Sequence, residues 1–505
     1  MNEDFLKHLS LPGRFEQLQR ESLKTGSDIS GIIQPVKSAC NEIEITLREI
    51  QTSGLGRLLI LHGTSGSGKS TFLHGLKYFF DNVDIISFKK EQPILSLATF
   101  ISNDTPKDTK HRIYVIDDRD NPNETDSDLK VSFEALRNLF RIDQGKALIV
   151  WPITDLEVST KIAEMAWHIG RDSLLGTRYK RYDFTGLSKD NFSEVADITT
   201  RSLNAGENLE SFGIGSETAM QMARESETIG EFYSRLNAYS AQRNSQTYNI
   251  LKTKIRPRVW IVVPGDDSKE LDRTVSSLTQ GTRNRLDIDK IAEFLDNKDN
   301  KSNYLNDWRK RRNDMAYLMR ILDVRLFELT PNAALAAVRT YGAEKIKTDL
   351  KKKTEKIENC IETIAKTRVG QAILNPEESL TFRPRETADE MAKEYMTIQQ
   401  LAAKGDNALN LSLSEALKEF LLKSGNDVTV TCEKQNLPNS QLCPDIQIPL
   451  TDGSIVCLEL TWRSTGKHIA TKGERRPQNT LSPGHIMMYL LDKSMEYVKD
   501  LKLSE

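Results

Sequence analysis

The chain lacks the long apolar runs that mark a membrane or a secreted protein. No run approaches the ~20 apolar residues that a membrane-spanning helix requires, and the charged and polar residues are spread along the whole sequence. The first ten residues, MNEDFLKHLS, mix acidic and apolar side chains and do not have the pattern of a secretion signal. These absences predict a cytoplasmic protein with no membrane partner.

The chain also has few cysteines and a small net charge. The 505 residues include five cysteines and no C-x-x-C pair, so buried free thiols are expected rather than a zinc site or a disulfide framework. The cysteines are Cys40, Cys360, Cys432, Cys443 and Cys457. The formal net charge of −2 means that any contact with DNA has to come from local basic patches. No internal repeat is found, which argues against a solenoid.

The most informative motif that is present is a glycine-rich segment with the spacing G-x-x-x-x-G-K-S. It follows an apolar run, Arg57–Leu61, and precedes a stretch with helical spacing, Thr71–Phe80. In such a strand–turn–helix arrangement, backbone N–H groups wrap around a phosphate at the positive end of the helix. Lys69 is expected to reach the β- and γ-phosphates of a nucleoside triphosphate, and the Ser70 hydroxyl is expected to hold Mg²⁺. The predicted nucleotide-binding residues of this segment are Gly63, Thr64, Ser65, Gly66, Ser67, Gly68, Lys69, Ser70 and Thr71.

The chain after this motif alternates strand and helix signals, as in a parallel α/β sheet. The further predicted strands are Val83–Phe88, His111–Asp118, Ala147–Asp155 and Tyr182–Phe184. From Leu187 to about Tyr248 the apolar spacing is helical only. Residues 55 to about 245 therefore resemble a P-loop NTPase of the AAA+/STAND type with a helical lid. No N-K-x-D motif for reading guanine is found, so ATP is the expected nucleotide.

Two acids end the third of these strands. Asp117 is expected to hold Mg²⁺ directly or through water, because Mg²⁺ prefers oxygen ligands and keeps several waters. Asp118 takes the position where the resemblance implies a carboxylate that polarises the attacking water. Hydrolysing P-loop proteins commonly have the longer glutamate there, so slow hydrolysis or a need for loop closure is expected. The alternative is an ordinary solvated strand end with two acids.

The resemblance also implies roles for residues around the fourth strand. Thr154 or Asp155 stands where AAA+ proteins carry a polar residue near the γ-phosphate. Arg171 stands where such proteins present an arginine to the nucleotide of a neighbouring subunit, which stabilises charge on the transferred phosphoryl group. Arg178 and Arg181 compete for that role, and a plain surface arginine is the alternative for each of the three.

A second cluster of chemistry-bearing residues lies near the C-terminus. Pro444-Asp445 opens one strand-like run, and Glu459 follows on another, Ser454–Arg463. An amphipathic helix, Leu411–Leu422, precedes these runs, and a long helix, His485–Leu501, closes the chain. This order resembles PD-(D/E)-x-K restriction-endonuclease-like domains, in which two carboxylates hold Mg²⁺ beside a lysine. Asp445 and Glu459 match the two carboxylates.

The lysine of that pattern is missing, because Thr461 stands in its place. Arg463 lies two residues further along the same strand and therefore on the same face. Lys493 on the closing helix is a second substitute if that helix packs over the site. Alternatively the site is inactive, with Asp445 only opening a hairpin and Glu459 paired to Arg463.

Two basic segments offer contacts for DNA. One is Trp308–Arg312, and the other is a lysine-rich helix or linker, Lys345–Lys356. Lysines on one helical face are suited to following phosphates. Acids such as Glu344 and Glu355 interleave with them, and a solvated helical face is the alternative.

The expected fold is α/β: a P-loop parallel sheet with a helical lid, a mostly helical middle region and an α+β C-terminal domain. The predicted segments are an N-terminal helical region (1–53), the NTPase core (54–186), the lid (187–250), the middle region (251–400) and a restriction-endonuclease-like domain (401–505). The expected function is that of an ATP-binding and ATP-hydrolysing switch, with Mg²⁺, coupled to DNA processing or cleavage as in bacterial anti-phage or restriction defence. A homo-oligomer or a subunit of a multi-protein complex is expected. The alternative is a non-nucleolytic ATP-gated scaffold whose C-terminal domain only binds DNA or a partner.

Overall fold

The computed structural model describes two compact units. One is His8–Ala241, called here the N-terminal unit; the other joins Met1–Lys7 to Gln242–Glu505 and is called the C-terminal unit. The described residues are 6–104, 110–120, 122, 124–142, 145–252, 256–300, 302, 304–348, 350–402, 405–433, 435–467 and 480–503. Within these ranges, no helix has both the length and the apolar character needed to cross a membrane.

The N-terminal unit is built on a parallel sheet with the strand order β2-β3-β4-β1-β5. Its strands are β1 (Arg57–His62), β2 (Val83–Phe88), β3 (His111–Ile116), β4 (Leu148–Ile153) and β5 (Tyr182–Asp183). Its α-helices are α1 (Phe15–Thr25), α2 (Lys37–Ser53), α3 (Lys69–Phe79), α4 (Leu97–Asn103), α5 (Asp126–Leu139), α6 (Leu156–Gly170), α7 (Asp172–Leu175), α8 (Phe192–Leu203), α9 (Ser216–Glu225) and α10 (Ile229–Lys252), within which the boundary between the units falls.

Helices cover both faces of this sheet. Leu73 of α3 belongs to the core on one face, and Phe133 of α5 belongs to the core on the other. Strands that are buried on both faces read as nearly continuous apolar runs, which is why the sequence predicts them. The parallel direction brings the carboxyl ends of β1, β3 and β4 to one edge of the sheet, where ligands of α/β proteins commonly bind.

The C-terminal unit contains a mixed sheet with the strand order β10-β11-β12-β6-β9-β8-β7. Its strands are β6 (Pro257–Pro264), β7 (Thr279–Gln280), β8 (Arg285–Leu286), β9 (Arg325–Leu329), β10 (Thr431–Cys432), β11 (Ile446–Pro449) and β12 (Ile455–Leu460). Its further helices are α11 (Ser268–Ser276), α12 (Ile288–Asp296), α13 (Leu305–Lys310), α14 (Arg312–Ile321), α15 (Pro331–Tyr341), α16 (Glu344–Lys347), α17 (Ile357–Ala365), α18 (Arg368–Leu374), α19 (Asp389–Ala402), α20 (Asn407–Lys423) and α21 (Pro483–Leu501).

The three central strands of this sheet are parallel, and its two margins are antiparallel. β6 pairs in parallel with both β12 and β9, while β10–β11–β12 and β9–β8–β7 run antiparallel. Leu417 of α20 lies in the core on one face, and Leu490 of α21 lies in the core on the other. The α/β class predicted from the sequence is confirmed for both units.

The structure divides the chain differently from the five predicted segments. Trp260 of β6 pairs with Leu458 of β12, so the predicted middle region and the predicted C-terminal domain contribute to one sheet. No boundary between compact units falls near residue 400. The predicted helical region, NTPase core and lid lie largely within the N-terminal unit. Strand β6 is central in the sheet, so the main-chain groups on both of its edges need hydrogen-bond partners. Strand β12 supplies one set of partners and β9 supplies the other.

Strand β9 is not among the strands predicted from the sequence, which indicates a mostly helical middle region (251–400). Two charged residues interrupt the apolar pattern that would indicate a strand. Arg325 and Glu328 are almost fully buried, with 0% and 1% of their surface exposed. Each is paired, since Asp323 lies 3.0 Å from Arg325 and Arg368 lies 3.1 Å from Glu328. Paired charges can be buried in a strand where isolated ones cannot.

For most of the lysine-rich segment, Lys345–Lys356, the structure favours a linker over a helix. Helix α16 ends at Lys347, and residues 350–356 contain no helix. Strand β10 is short and covers only Thr431–Cys432.

Candidate functional site

The loop between β1 and α3 has a backbone form that requires its glycines. Gly66 and Gly68 have φ angles of 79° and 93°, in the left-handed region that strains residues with a Cβ atom. The Gly230 N–H donates to Gly66 O at 3.0 Å, and a Cβ atom on Gly230 would lie 2.9 Å from Gly66 Cα. The first turn of α10 therefore packs directly on the loop backbone.

Lys69, the first residue of α3, folds its side chain back over this loop. Its ammonium donates to Gly63 O at 2.5 Å, to Thr64 O at 3.2 Å and to Thr154 Oγ1 at 3.2 Å. Lys69 is only 5% exposed, and this burial lowers its pKa, while the charge of Asp120 opposes the shift. Within the described residues, no carboxylate forms an ion pair with Lys69. The ammonium is therefore held by neutral oxygens that an anion can replace.

The loop contains a second polar group that suits a phosphate. Ser67 Oγ is buried and has no hydrogen-bond partner among the described residues. A buried hydroxyl without a partner is unfavourable by about 1–3 kcal/mol. A phosphate oxygen in the loop would satisfy it, so the residues present fit a bound triphosphate.

The structure separates the two polar residues that follow β4. The Thr154 hydroxyl contacts Lys69, as given above, whereas the Asp155 carboxylate accepts from the Val158 N–H at 2.8 Å and caps α6. Asp155 therefore caps a helix. Of the two residues, Thr154 is the one whose side chain contacts Lys69 at the glycine-rich loop.

The acids after β3 are placed differently from one another. The Asp117 carboxylate lies 3.2 Å from Nε2 of His74, one helical turn after Ser70 on α3. Asp118 is exposed, with a φ angle of 54°. Asp120, which the sequence-based prediction missed, is partly buried, and its Oδ2 accepts from Thr154 Oγ1 at 3.4 Å.

The three predicted arginines also differ in their surroundings. Arg178 lies 2.6 Å from Glu42, and Arg181 lies 3.0 Å from Asp183. Arg171 is exposed between α6 and α7, with a φ angle of 42°, and forms no ion pair with any described residue. Of the three, Arg171 is the one whose charge is not already engaged by a carboxylate.

An open cavity of about 80 Å³ adjoins the glycine-rich loop. Its loop side includes Gly66, Ser67, Gly68 and Thr71. The apolar part of its lining consists of Leu18, Ile32, Ile33, Val36, Phe72, Leu187, Val195, Ile229 and Tyr233. These residues come from well-separated segments, so the sequence alone does not bring them together. An apolar cavity beside a glycine-rich loop is suited to an aromatic base.

In the C-terminal unit, the structure brings the predicted carboxylates together. Asp445 directly precedes β11, and Glu459 lies on β12. The antiparallel register that pairs Ile446 with Leu458 sets Asp445 and Glu459 opposite each other. Asp445 Oδ2 accepts from the Leu460 N–H at 2.6 Å, which holds the Asp445 carboxylate at the C-terminal end of β12.

Helix α21 supplies two further groups to this pair. Tyr497 donates its hydroxyl to Glu459 Oε1 at 2.7 Å, and Lys493 Nζ lies 3.2 Å from Glu459 Oε2. Lys493 and Tyr497 are four residues apart and so share one face of the helix. Burial alone would lower the pKa of Lys493, but the carboxylates of Glu459 and Glu496 raise it above its ordinary value.

Burial also acts on the two carboxyl groups. It raises the pKa of Glu459, although Lys493 and Tyr497 oppose the shift. Burial and then the Glu459 charge raise the pKa of Asp445 to about 7, and Asp406, another residue missed by the sequence-based prediction, adds to the rise. The two neighbouring carboxyl groups repel each other when both are ionised. A divalent cation bound between them would stabilise their charged forms. No group of three or more His, Cys, Asp and Glu side chains that could hold a metal is found in the described part of the chain.

The two predicted substitutes for the missing lysine are not equivalent. Arg463 Nε donates to Thr461 Oγ1 at 2.7 Å, and its guanidinium lies 6.0 Å from the centre of the Tyr489 ring. Glu459 pairs with Lys493, as described above, rather than with Arg463. Lys493 is therefore the substitute that reaches the carboxylates.

The basic segments predicted to contact DNA are largely engaged within the protein. Arg309 donates to three main-chain carbonyl groups, and Arg312 pairs with Asp296. Lys351 lies 3.1 Å from Glu390. These contacts favour the alternative of an ordinary charged surface.

Comparison with models of known protein families found no match, and comparison with curated proteins found none either.

Proposed function

We propose that this protein is an ATP-binding and ATP-hydrolysing switch whose C-terminal unit processes or cleaves DNA, in a homo-oligomer or a larger complex. The observation that carries the proposal is the buried Lys69 ammonium. It lies in a glycine-rich loop at the carboxyl ends of β1 and β4 and is held only by neutral oxygens. A cation in that position, at the start of a helix, has the charge and the geometry for a terminal phosphate.

The neighbouring residues supply the rest of a nucleotide site. The loop N–H groups and Ser67 Oγ would bind phosphate oxygens, and the apolar cavity would take the base. Ser70 and Asp117 would hold Mg²⁺, which neutralises phosphate charge when bound. Asp117 already lies against α3 through its contact with His74, which follows Ser70 by one helical turn.

The cavity provides a prediction that separates base binding from phosphate binding. Ile229 is half-buried in the cavity wall, and its Cγ2 would lie 3.9 Å from a Cβ atom on Gly68. Ile229→Trp should fill part of the cavity and weaken ATP binding about tenfold or more, equivalent to ~1.4 kcal/mol. Binding of inorganic tripolyphosphate should be unchanged. Titration calorimetry with both ligands measures the difference.

Met220 provides the matched control, because it is 45% exposed on α9 and lies outside the cavity lining. Met220→Trp adds the same indole and should leave the affinity for ATP unchanged. Equal loss of both ligands in Ile229→Trp would contradict a base site in the cavity.

The proposed DNA chemistry rests on Asp445, Glu459 and Lys493. The two carboxylates would hold Mg²⁺, which would supply positive charge to a phosphodiester when bound. Lys493 would remain close enough to orient a water or a phosphate oxygen, since its Nζ lies 3.2 Å from Glu459. Tyr497 fixes the Glu459 carboxylate by donating to its other oxygen.

The experiment that tests the whole proposal uses the full chain without substitutions. Binding and hydrolysis of ATP are measured with Mg²⁺, and cleavage of supercoiled and linear DNA is measured with Mg²⁺ in the presence and absence of ATP. We expect ATP to be hydrolysed and DNA to be cut faster when ATP is present. Absence of nucleotide binding would refute the switch, and cleavage independent of ATP would refute the coupling.

A non-nucleolytic scaffold is the second candidate function, favoured by one observation. Glu459 is already neutralised by Lys493 and hydrogen-bonded by Tyr497, and Thr461 occupies the usual lysine position. On this alternative, the C-terminal unit only binds DNA or a partner. ATP hydrolysis without any DNA cleavage in the experiment above, together with retained DNA binding, would support it.

A further inference from the structure

We infer that Asp120, rather than Asp118, is the carboxylate that accepts the proton of the attacking water during ATP hydrolysis. The inference rests on the proposed hydrolysis of ATP and assigns a residue to that same site. Three acids follow β3 closely, and the structure places each of them in different surroundings.

The backbone at Asp118 explains why the acids diverge. Its φ angle of 54° lies in the left-handed region, which turns the chain immediately after the strand. The next residue, Arg119, is buried; its guanidinium donates to Lys90 O at 3.0 Å, and its own carbonyl accepts from Trp151 Nε1 at 3.2 Å. With Arg119 anchored inside, Asp118 is left exposed and Asp120 returns to the edge of the sheet.

Asp120 is joined to the phosphate-binding loop through one residue. The Thr154 N–H donates to Asp120 O at 3.0 Å, and the Thr154 hydroxyl lies 3.4 Å from Asp120 Oδ2. The same hydroxyl lies 3.2 Å from Lys69 Nζ. Lys69 is the group expected to reach the terminal phosphate. Asp120 is therefore the acid that is connected, through Thr154, to the phosphorus that water would attack.

The other two acids lack this connection. Asp117 contacts His74 on α3 and is positioned for Mg²⁺, whereas Asp118 is exposed. Burial raises the pKa of Asp120, while Lys69 and Thr154 oppose the shift and the charges of Asp118 and Asp117 add to it. A carboxylate with a raised pKa is a stronger base than an ordinary surface aspartate.

In the proposed step, water displaces ADP from the γ-phosphate. The water oxygen bonds to the γ-phosphorus, and the bond from that phosphorus to the bridging oxygen breaks, leaving its electron pair on ADP. The proton lost by the water passes to the Asp120 carboxylate and then to solvent as phosphate leaves. Thr154 holds the carboxylate in place and does not itself take the proton.

The test measures steady-state ATP hydrolysis and equilibrium binding of ATP by full-length variants. Asp120→Asn should lower kcat by about 100-fold or more, while the affinity for ATP stays within about threefold of wild type. Asp118→Asn should lose less turnover than Asp120→Asn. Asp120→Glu should regain part of kcat, because it restores a carboxylate, which a purely structural role would not predict.

Asp84 is the matched control, since it is an exposed aspartate on β2 of the same sheet. Asp84→Asn should hydrolyse ATP at the wild-type rate. A greater loss of kcat in Asp118→Asn than in Asp120→Asn would overturn the inference, as would full activity in Asp120→Asn. A wild-type protein that binds ATP without hydrolysing it would also overturn it, whereas failure to bind ATP at all would refute the proposed function itself.

Discussion

Lys69→Ala is expected to remove most of the affinity for ATP. A hydrogen bond to a charged group contributes about 1.5–3 kcal/mol, and an ammonium between two phosphates makes more than one. We therefore expect affinity to fall about 100-fold or more. The structure supports this size of effect, because Lys69 is the one cation that donates to the loop carbonyls Gly63 O and Thr64 O in the described part of the chain. Titration calorimetry with ATP and Mg²⁺ measures the change.

Lys77 is the matched control for this substitution. It lies on the same helix α3 but is exposed, and its ammonium is 5.0 Å from the centre of the neighbouring Tyr78 ring. Lys77→Ala should bind ATP as the wild type does. If Lys69→Ala also kept its affinity while remaining folded by circular dichroism, the loop would not be the phosphate site.

Glu459→Gln is expected to remove DNA cleavage, with an initial rate lower by roughly 100-fold or more. The amide is nearly the same size as the carboxylate and can still accept from Tyr497, so the fold around β12 and α21 should persist. It no longer carries the negative charge that would hold a divalent cation beside Asp445. Nicking of supercoiled plasmid with Mg²⁺ and ATP measures the effect.

Two comparisons make this result specific. Glu378→Gln changes an exposed glutamate of the same unit and should leave the cleavage rate unchanged. Glu459→Gln should also hydrolyse ATP at the wild-type rate, because the proposed nucleotide site is built from residues of the N-terminal unit. Undiminished cleavage by Glu459→Gln would exclude these carboxylates as the nuclease centre.

The centre of the N-terminal sheet is readable from the sequence because β1, β3 and β4 are buried over most of their length. Strand β4 is buried at every position, so it appears as an unbroken apolar run. Glycines with left-handed backbone and a lysine opening a helix then mark the loop. The meeting of Lys69 with Thr154 follows from the parallel direction of β1 and β4, which brings both carboxyl ends to one edge.

The features that the sequence does not disclose depend on contacts between distant segments or on single backbone angles. Strand β9 is not recognised from the sequence because Arg325 and Glu328 are residue types usually found on the surface. Their burial is explained only by their ion-pair partners, Asp323 and Arg368. The position of Asp120 depends on the left-handed conformation of Asp118. Aspartate adopts that conformation more readily than most residues, but its presence here cannot be predicted from residue type alone. The cavity beside the loop likewise needs five separate segments of the chain (12–18, 32–36, 66–72, 187–199 and 229–233) to be folded together.

The central position of β6 has a consequence for how the protein is made. Trp260 of β6 pairs with Leu458 of β12, roughly 200 positions later in the chain. During synthesis on the ribosome, β6 emerges early and one of its edges stays unpaired until β12 is complete. An apolar strand with an open edge invites pairing with other chains. The N-terminal unit can fold while translation continues, whereas the C-terminal unit can complete its sheet only after β12 has been translated. A chain that ends before β12 would therefore aggregate rather than yield a smaller folded protein.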